Sequence, residues 1–162
     1  MSLVANVKDL VDSITRRLTF LPPAVARLTI GLVFVLSGWG KLHSLDQVTQ
    51  FFTELGIPAP ALQAAFVSGV ELVGGALVLV GLFTRAAAVP LACTMIVALI
   101  TAKREEIHGI ADLAGQLEFA YLALCVWLAV AGGGALSLDA VIGRIFRRPR
   151  PTEVLVERAA RM

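Results

Sequence analysis

Four stretches of the chain, 24–42, 61–83, 86–102 and 117–136, are apolar almost without interruption. A helix that crosses the ~30 Å hydrocarbon core of a bilayer needs ~17–25 such residues, and each stretch falls in that range. None alternates like a strand with one wet face, and in lipid every backbone amide must be satisfied within its own segment, so helices are predicted. Pro90 falls about one turn into the third stretch, where it is tolerated or gives a mild kink. The reading is an all-α, integral membrane four-helix bundle spanning residues 24–139.

Shorter patterns flank and join the spans. In 1–23, Leu3, Val7, Leu10, Ile14, Leu18 and Leu21 recur every three or four residues between Lys8, Asp9, Asp12, Arg16 and Arg17. This predicts an amphipathic interfacial helix, on the cytoplasmic membrane face or against a partner, ended by Pro22 and Pro23. The segment lacks the apolar core of a cleavable signal peptide. Ser44 through Gln47 reads as a capping box for a short outer helix, with Leu45, Val48, Phe51, Phe52 and Leu55 on its apolar side and Gly56 closing it. Gly132, Gly133 and Gly134 read as a helix end; they follow an apolar span, not a strand, so a phosphate-cradling loop is not expected. Ser137 and Asp139 then cap a last short helix carrying Val141, Ile142 and Ile145, and a basic tail occupies 140–162.

Composition agrees and adds orientation. The 162 residues are 57% hydrophobic and 16% charged, with a mean hydropathy of +0.82. Soluble domains run nearer ~45–50% and ~25%, and disorder needs the opposite bias, so both classes are excluded. Of the 26 charged residues only Arg27, Lys41, Glu71 and Glu118 fall inside the four stretches. Eleven Lys and Arg lie on the side shared by the termini and three on the other, which places both termini in the cytoplasm. Arg147, Arg148 and Arg150 in the tail suit anionic lipid at ~1 kcal/mol each; without interleaved aromatics they do not suggest nucleic acid. Cys93 and Cys125 lie within spans and form no CxxC pair, which reads as packing, not redox chemistry.

An ionisable group inside a membrane costs ~2.5–3.5 kcal/mol on insertion scales, so Glu71 needs a partner. Arg27, Gly31, Phe34, Gly38 and Lys41 form one helical stripe, and Glu71, Gly74, Val78, Gly81 and Arg85 form another. Each stripe rises ~21 Å. If Arg27 and Arg85 lie level on neighbouring antiparallel helices, Lys41 and Glu71 also lie level, which predicts an ion pair, with glycines allowing close approach. Glu118 enters from the same side, as do His43 and His108 in the outer loops. Together they could form an outward-opening pocket that binds an anion or a quinone headgroup and exchanges protons, or a polar network that only fixes helix register. Arg27 and Arg85 read as anchoring charges. No metal site is expected, because the histidines lack further ligands at defined spacing, and no covalently held cofactor is expected, because dinucleotide, P-loop, haem-attachment and iron–sulfur motifs do not occur.

Arg27-Leu28-Thr29-Ile30-Gly31, Ser37-Gly38-Trp39-Gly40-Lys41-Leu42, Leu55-Gly56-Ile57-Pro58, Glu71-Leu72-Val73-Gly74-Gly75, Gly81-Leu82-Phe83-Thr84-Arg85 and Ser137-Leu138-Asp139 resemble, in order and spacing, the DoxX family of small four-helix bacterial membrane proteins. The resemblance implies an inner-membrane subunit associated with a redox protein and in some relatives linked to quinone, with Arg27, Lys41, Glu71 and Arg85 as the shared polar positions. Two other readings stand beside it. One is a small proton-coupled transporter or channel that uses Glu71, and the other is an assembly scaffold with no ligand. The sequence gives no oligomeric state.

Overall fold

A computed structural model describes residues 7–8, 11–13, 15 and 18–145. Of the predicted N-terminal segment 1–23, residues 7–8, 11–13, 15 and 18 are helical; 1–6, 9–10, 14 and 16–17, and the basic tail with Arg147, Arg148 and Arg150, lie outside the described residues. The chain folds as α1 (Leu21–His43), α2 (Leu45–Glu54), α3 (Pro60–Val80), α4 (Thr84–Ile100), a 3-10 turn (Arg104–Glu106), α5 (Ile110–Gly115), α6 (Leu117–Ala131) and α7 (Leu138–Ile145). Among the described residues there is no strand.

The long helices pack in chain order: α1 on α3, α3 on α4, α4 on α6, and α6 back on α1. Ile30, Phe34, Val78, Leu91, Met95, Cys125 and Leu128 fill the space between them, and Phe34 meets Tyr121 with ring centroids 6.4 Å apart. The outer faces are apolar too. Leu28, Leu32, Leu36, Phe66, Val73 and Val126 all stand more than half exposed, an apolar surface too extensive for a water-soluble monomer. Helices α1 and α3, at 23 and 21 residues, are long and apolar enough to cross a membrane, whereas α4 has 17 residues and α6 has 15.

Several boundaries differ from the sequence pattern for identifiable reasons. Pro22 and Pro23 stand where one helix gives way to the next: Leu18 is still helical, 19–20 turn, and the prolines then sit in the first turn of α1, where amide hydrogens have no helical acceptor and their absence costs nothing. The second apolar stretch stops as helix at Val80, because Gly81 turns left-handed at φ 75°. The fourth stops at Ala131, where Gly132 takes φ 81° and Gly134 φ 74°, so 132–136 is a loop. The capping box at Ser44 does not form. The Ser44 hydroxyl instead donates back to Gly40 O at 2.9 Å, and no side chain caps α2.

The loop and α7 fold back onto the start of α4. Asp139 accepts from Phe83 N at 2.9 Å and Thr84 N at 3.1 Å, while Asp139 N donates to Gly81 O at 2.9 Å. These bonds hold Phe83 at a left-handed φ of 49°, a conformation that costs a non-glycine residue ~1–2 kcal/mol. Ser137 caps α7 as its position predicts, accepting from Ala140 N at 3.1 Å. Asp139→Ala is expected to destabilise the protein by ~1–2 kcal/mol, the usual range for a lost helix cap; chemical unfolding in detergent micelles measures it.

Candidate functional site

The site begins with how closely α1 and α3 approach. A Cβ on Gly31 would stand 2.6 Å from Leu79 Cα, one on Gly75 2.7 Å from Val35 N, and one on Gly38 2.8 Å from Ser68 O. These neighbours are backbone or sit on it, so the contact admits glycine alone at those positions. Gly74, which the sequence stripe places on this face, instead meets Leu91 of α4, and its neighbour Gly75 faces α1. The difference of one position is the rotation of α3 about its axis, which a stripe cannot fix when two adjacent glycines are available.

Close approach brings Lys41 Nζ to 2.6 Å from Glu71 Oε1, the pair that the level stripes predict. The Ser37 hydroxyl donates to the other carboxylate oxygen, Oε2, at 2.8 Å. Glu71 is 1% exposed and the Lys41 side chain 32%, so the carboxylate is sealed while the ammonium keeps one open side. The sequence marks Ser37 only as the start of the 37–42 motif and not as a site residue, although it lies four residues before Lys41 and therefore on the same helix face. Both Glu71 oxygens have a hydrogen bond, as a buried charge requires.

The other expected pocket members are not joined to this pair. Glu118 opens α6 half-buried, and its charge acts on Lys103 in the outer loop. His43 is exposed, with its ring 4.5 Å from that of Trp39 and Nδ1 2.9 Å from Trp39 O. His108 is exposed, and its backbone N–H donates to Asp112. Among the described residues, no three His, Cys, Asp or Glu converge as metal ligands. In the loop after α4, Lys103 Nζ lies 3.0 Å from Glu106 Oε1, and Gln116 donates to Oε2 at 3.2 Å. The hydrogen bond from Lys103 holds the Glu106 carboxyl below the usual carboxylate range and raises the Lys103 ammonium in turn.

The opposite end of the bundle belongs to arginines. Arg27 is only 6% exposed; instead of reaching for water it donates to Gly133 O at 3.4 Å and Leu136 O at 3.1 Å. It thereby ties the 132–136 loop to α1. Arg27 Nε and Thr84 Oγ1 are buried with no hydrogen-bond partner. Arg85 is exposed and lies over Gly132, where a Cβ would come within 3.1 Å of its Nε.

Helices of membrane length, apolar on their outer faces and locked by a buried ion pair, define an all-helical membrane protein. Comparison with known proteins makes the class specific. The DoxX family pattern matches residues 23–104, and the chain belongs to that family. It is 36% identical over 115 residues to CatD of Bacillus subtilis, provisionally named an oxidoreductase, covering 70% of this chain and 81% of that one. It is 36% identical over 132 residues to the membrane protein Rv3486 of Mycobacterium tuberculosis, covering 73% and 80%. With the inner membrane protein YphA of Escherichia coli it shares 30% over 120 residues, covering 71% and 86%. No solved structure matches the chain. Arg27, Lys41, Glu71 and Arg85 all fall within the matched residues.

Proposed function

We propose that this DoxX-family chain is a multi-pass protein of the bacterial inner membrane that acts as a non-catalytic subunit of a membrane oxidoreductase assembly and presents Lys41 to a quinone headgroup. The observation that carries this reading is the Lys41, Glu71 and Ser37 set. Glu71 is fixed by two hydrogen bonds and screened from water, so it holds the Lys41 ammonium in place. The ammonium has three donors and a carboxylate oxygen takes one, which leaves hydrogens on the open side for a carbonyl oxygen. The name of CatD supports the redox association and that of YphA the location.

In this reading all four long helices cross the bilayer with both termini cytoplasmic. Helix α6 is short alone, but α5 precedes it with only Gln116 between. Alkaline phosphatase fused after Arg104 is expected to be active and the same enzyme fused after Ile145 inactive, because the eleven-to-three distribution of Lys and Arg holds the latter side inside.

A photoreactive benzoquinone tests the Lys41 role. In native membranes it is expected to label peptides of α1 and α3 near Lys41, and Lys41→Met with Glu71→Leu is expected to abolish that labelling. Equal labelling of the double variant would remove the quinone from the proposal. The transport reading requires Glu71 to exchange protons with water, which its 1% exposure opposes. Proton-coupled flux in proteoliposomes, lost in Glu71→Gln, would reinstate it.

A further inference from the structure

We propose that the arginine end of the bundle carries a built site for one anionic phospholipid, with its phosphate on Arg85 and one acyl chain in a groove between α3 and α4. Two adjoining hollows make the site. The first, about 430 Å³, is lined by Phe83, Arg85, Gly132, Gly133, Ser137 and Asp139 among others. The second, about 550 Å³, is lined only by apolar residues and glycines, including Phe66, Gly69, Val73, Leu77 and Pro90. Phe83 and Ala86 line both, so polar hollow and apolar groove are continuous. A polar compartment opening into an apolar trough on the outer face of a membrane protein matches an amphiphile.

The charges in the polar hollow select the sign of the headgroup. Asp139 is its carboxylate, and that group is engaged by the amides of Phe83 and Thr84. Arg85 has no ion-pair partner among the described residues. The backbone N–H groups of Gly133 and Gly134 meet no acceptor among the described residues, and successive amides beside positive-φ glycines are a common cradle for anions. Thr84 Oγ1, wholly buried and without a partner, lies behind Gly133 and does not line the hollow. The two free glycine amides and the unpaired Arg85 guanidinium, all lining the hollow, together call for a phosphate.

The groove supplies the other half of the match. Its open floor is Gly69, where a Cβ would meet nothing within 4 Å. Pro90 gives Ala86 O no helical hydrogen bond, which leaves an acceptor at the junction for a headgroup hydroxyl. Phosphatidylglycerol has both the phosphate and the hydroxyls. The proposal needs the chain to sit in a bilayer and does not depend on the redox role.

Native mass spectrometry of the delipidated full-length protein in detergent tests it, with phosphatidylglycerol and phosphatidylcholine of identical acyl chains as probes. The wild type is expected to retain one phosphatidylglycerol about fivefold or more above phosphatidylcholine, the effect of a single well-placed arginine. Arg85→Gln should erase that preference, Arg85→Lys should keep part of it, and Gly69→Leu should lower retention of both lipids by filling the groove. Arg85 and Gly69 border open space, so these variants fold. Equal retention of the two lipids by the wild type, or an unchanged preference in Arg85→Gln, would overturn the proposal. Displacement of the lipid by free glycerol phosphate at equal concentration would overturn the groove's part in it.

Discussion

Lys41→Met destabilises the protein by ~3–5 kcal/mol, the range observed when one partner is removed from a buried ion pair. Glu71→Leu costs less. The asymmetry follows from the exposure of the two partners: Glu71 is sealed, and without Lys41 it keeps only the Ser37 hydroxyl, whereas Lys41 has an open side through which its flexible stem can carry the ammonium to water. Replacing both with apolar residues of similar volume removes the buried charges together, and such replacements are often neutral or stabilising. The double variant Lys41→Met with Glu71→Leu therefore returns close to wild-type stability in reversible unfolding in mixed micelles. A double variant as unstable as Lys41→Met would show that the pair does more for the fold than neutralise itself. Because the double variant folds, its loss of quinone labelling reports on chemistry and not on collapse of the bundle.

Gly38→Ala is expected to destabilise by ~1–3 kcal/mol or more, the cost of forcing atoms into a packed contact. The new methyl would press on the Leu72 amide and Ser68 O, and a backbone cannot swing aside as a side chain can. Separating α1 from α3 at that level also pulls Ser37 and Lys41 away from Glu71, so quinone labelling should fall with stability. Gly40→Ala is the control on the same helix. A Cβ there meets nothing within 4 Å, so the change should stabilise by ~0.5–1 kcal/mol, the usual difference between the two residues inside a helix.

Helical period made the Lys41 and Glu71 pair legible, because residues on one helix face can be counted and levelled against a neighbouring helix. The same arithmetic could not choose between Gly74 and Gly75, since both lie near the interface and only side-chain packing sets the rotation of α3. The fold-back of 132–139 was out of reach for a different reason. Arg27 bonds to Gly133 and Leu136 across more than a hundred residues, and nothing periodic marks a loop that returns to a distant helix. Asp139 was visible as a cap, but of α7; its bonds to Phe83 and Thr84 come from tertiary contact. Glu118, His43 and His108 share with the pair only their side of the bundle, and side is a coarser coordinate than position within it. Pro22 and Pro23 mark a boundary in the sequence but not on which side of it they fall, because a residue that ends one helix is also accommodated in the first turn of the next.

The proposed role of this DoxX-family protein in a redox assembly rests on what it binds within the membrane. Mild-detergent extraction of the tagged chain from native membranes, with protein mass spectrometry and lipid analysis of what accompanies it, reads this out. A co-purifying oxidoreductase and a bound quinone are expected, the quinone being lost in the Lys41→Met, Glu71→Leu double variant. Recovery of the wild-type chain with neither a redox protein nor a quinone would contradict that role.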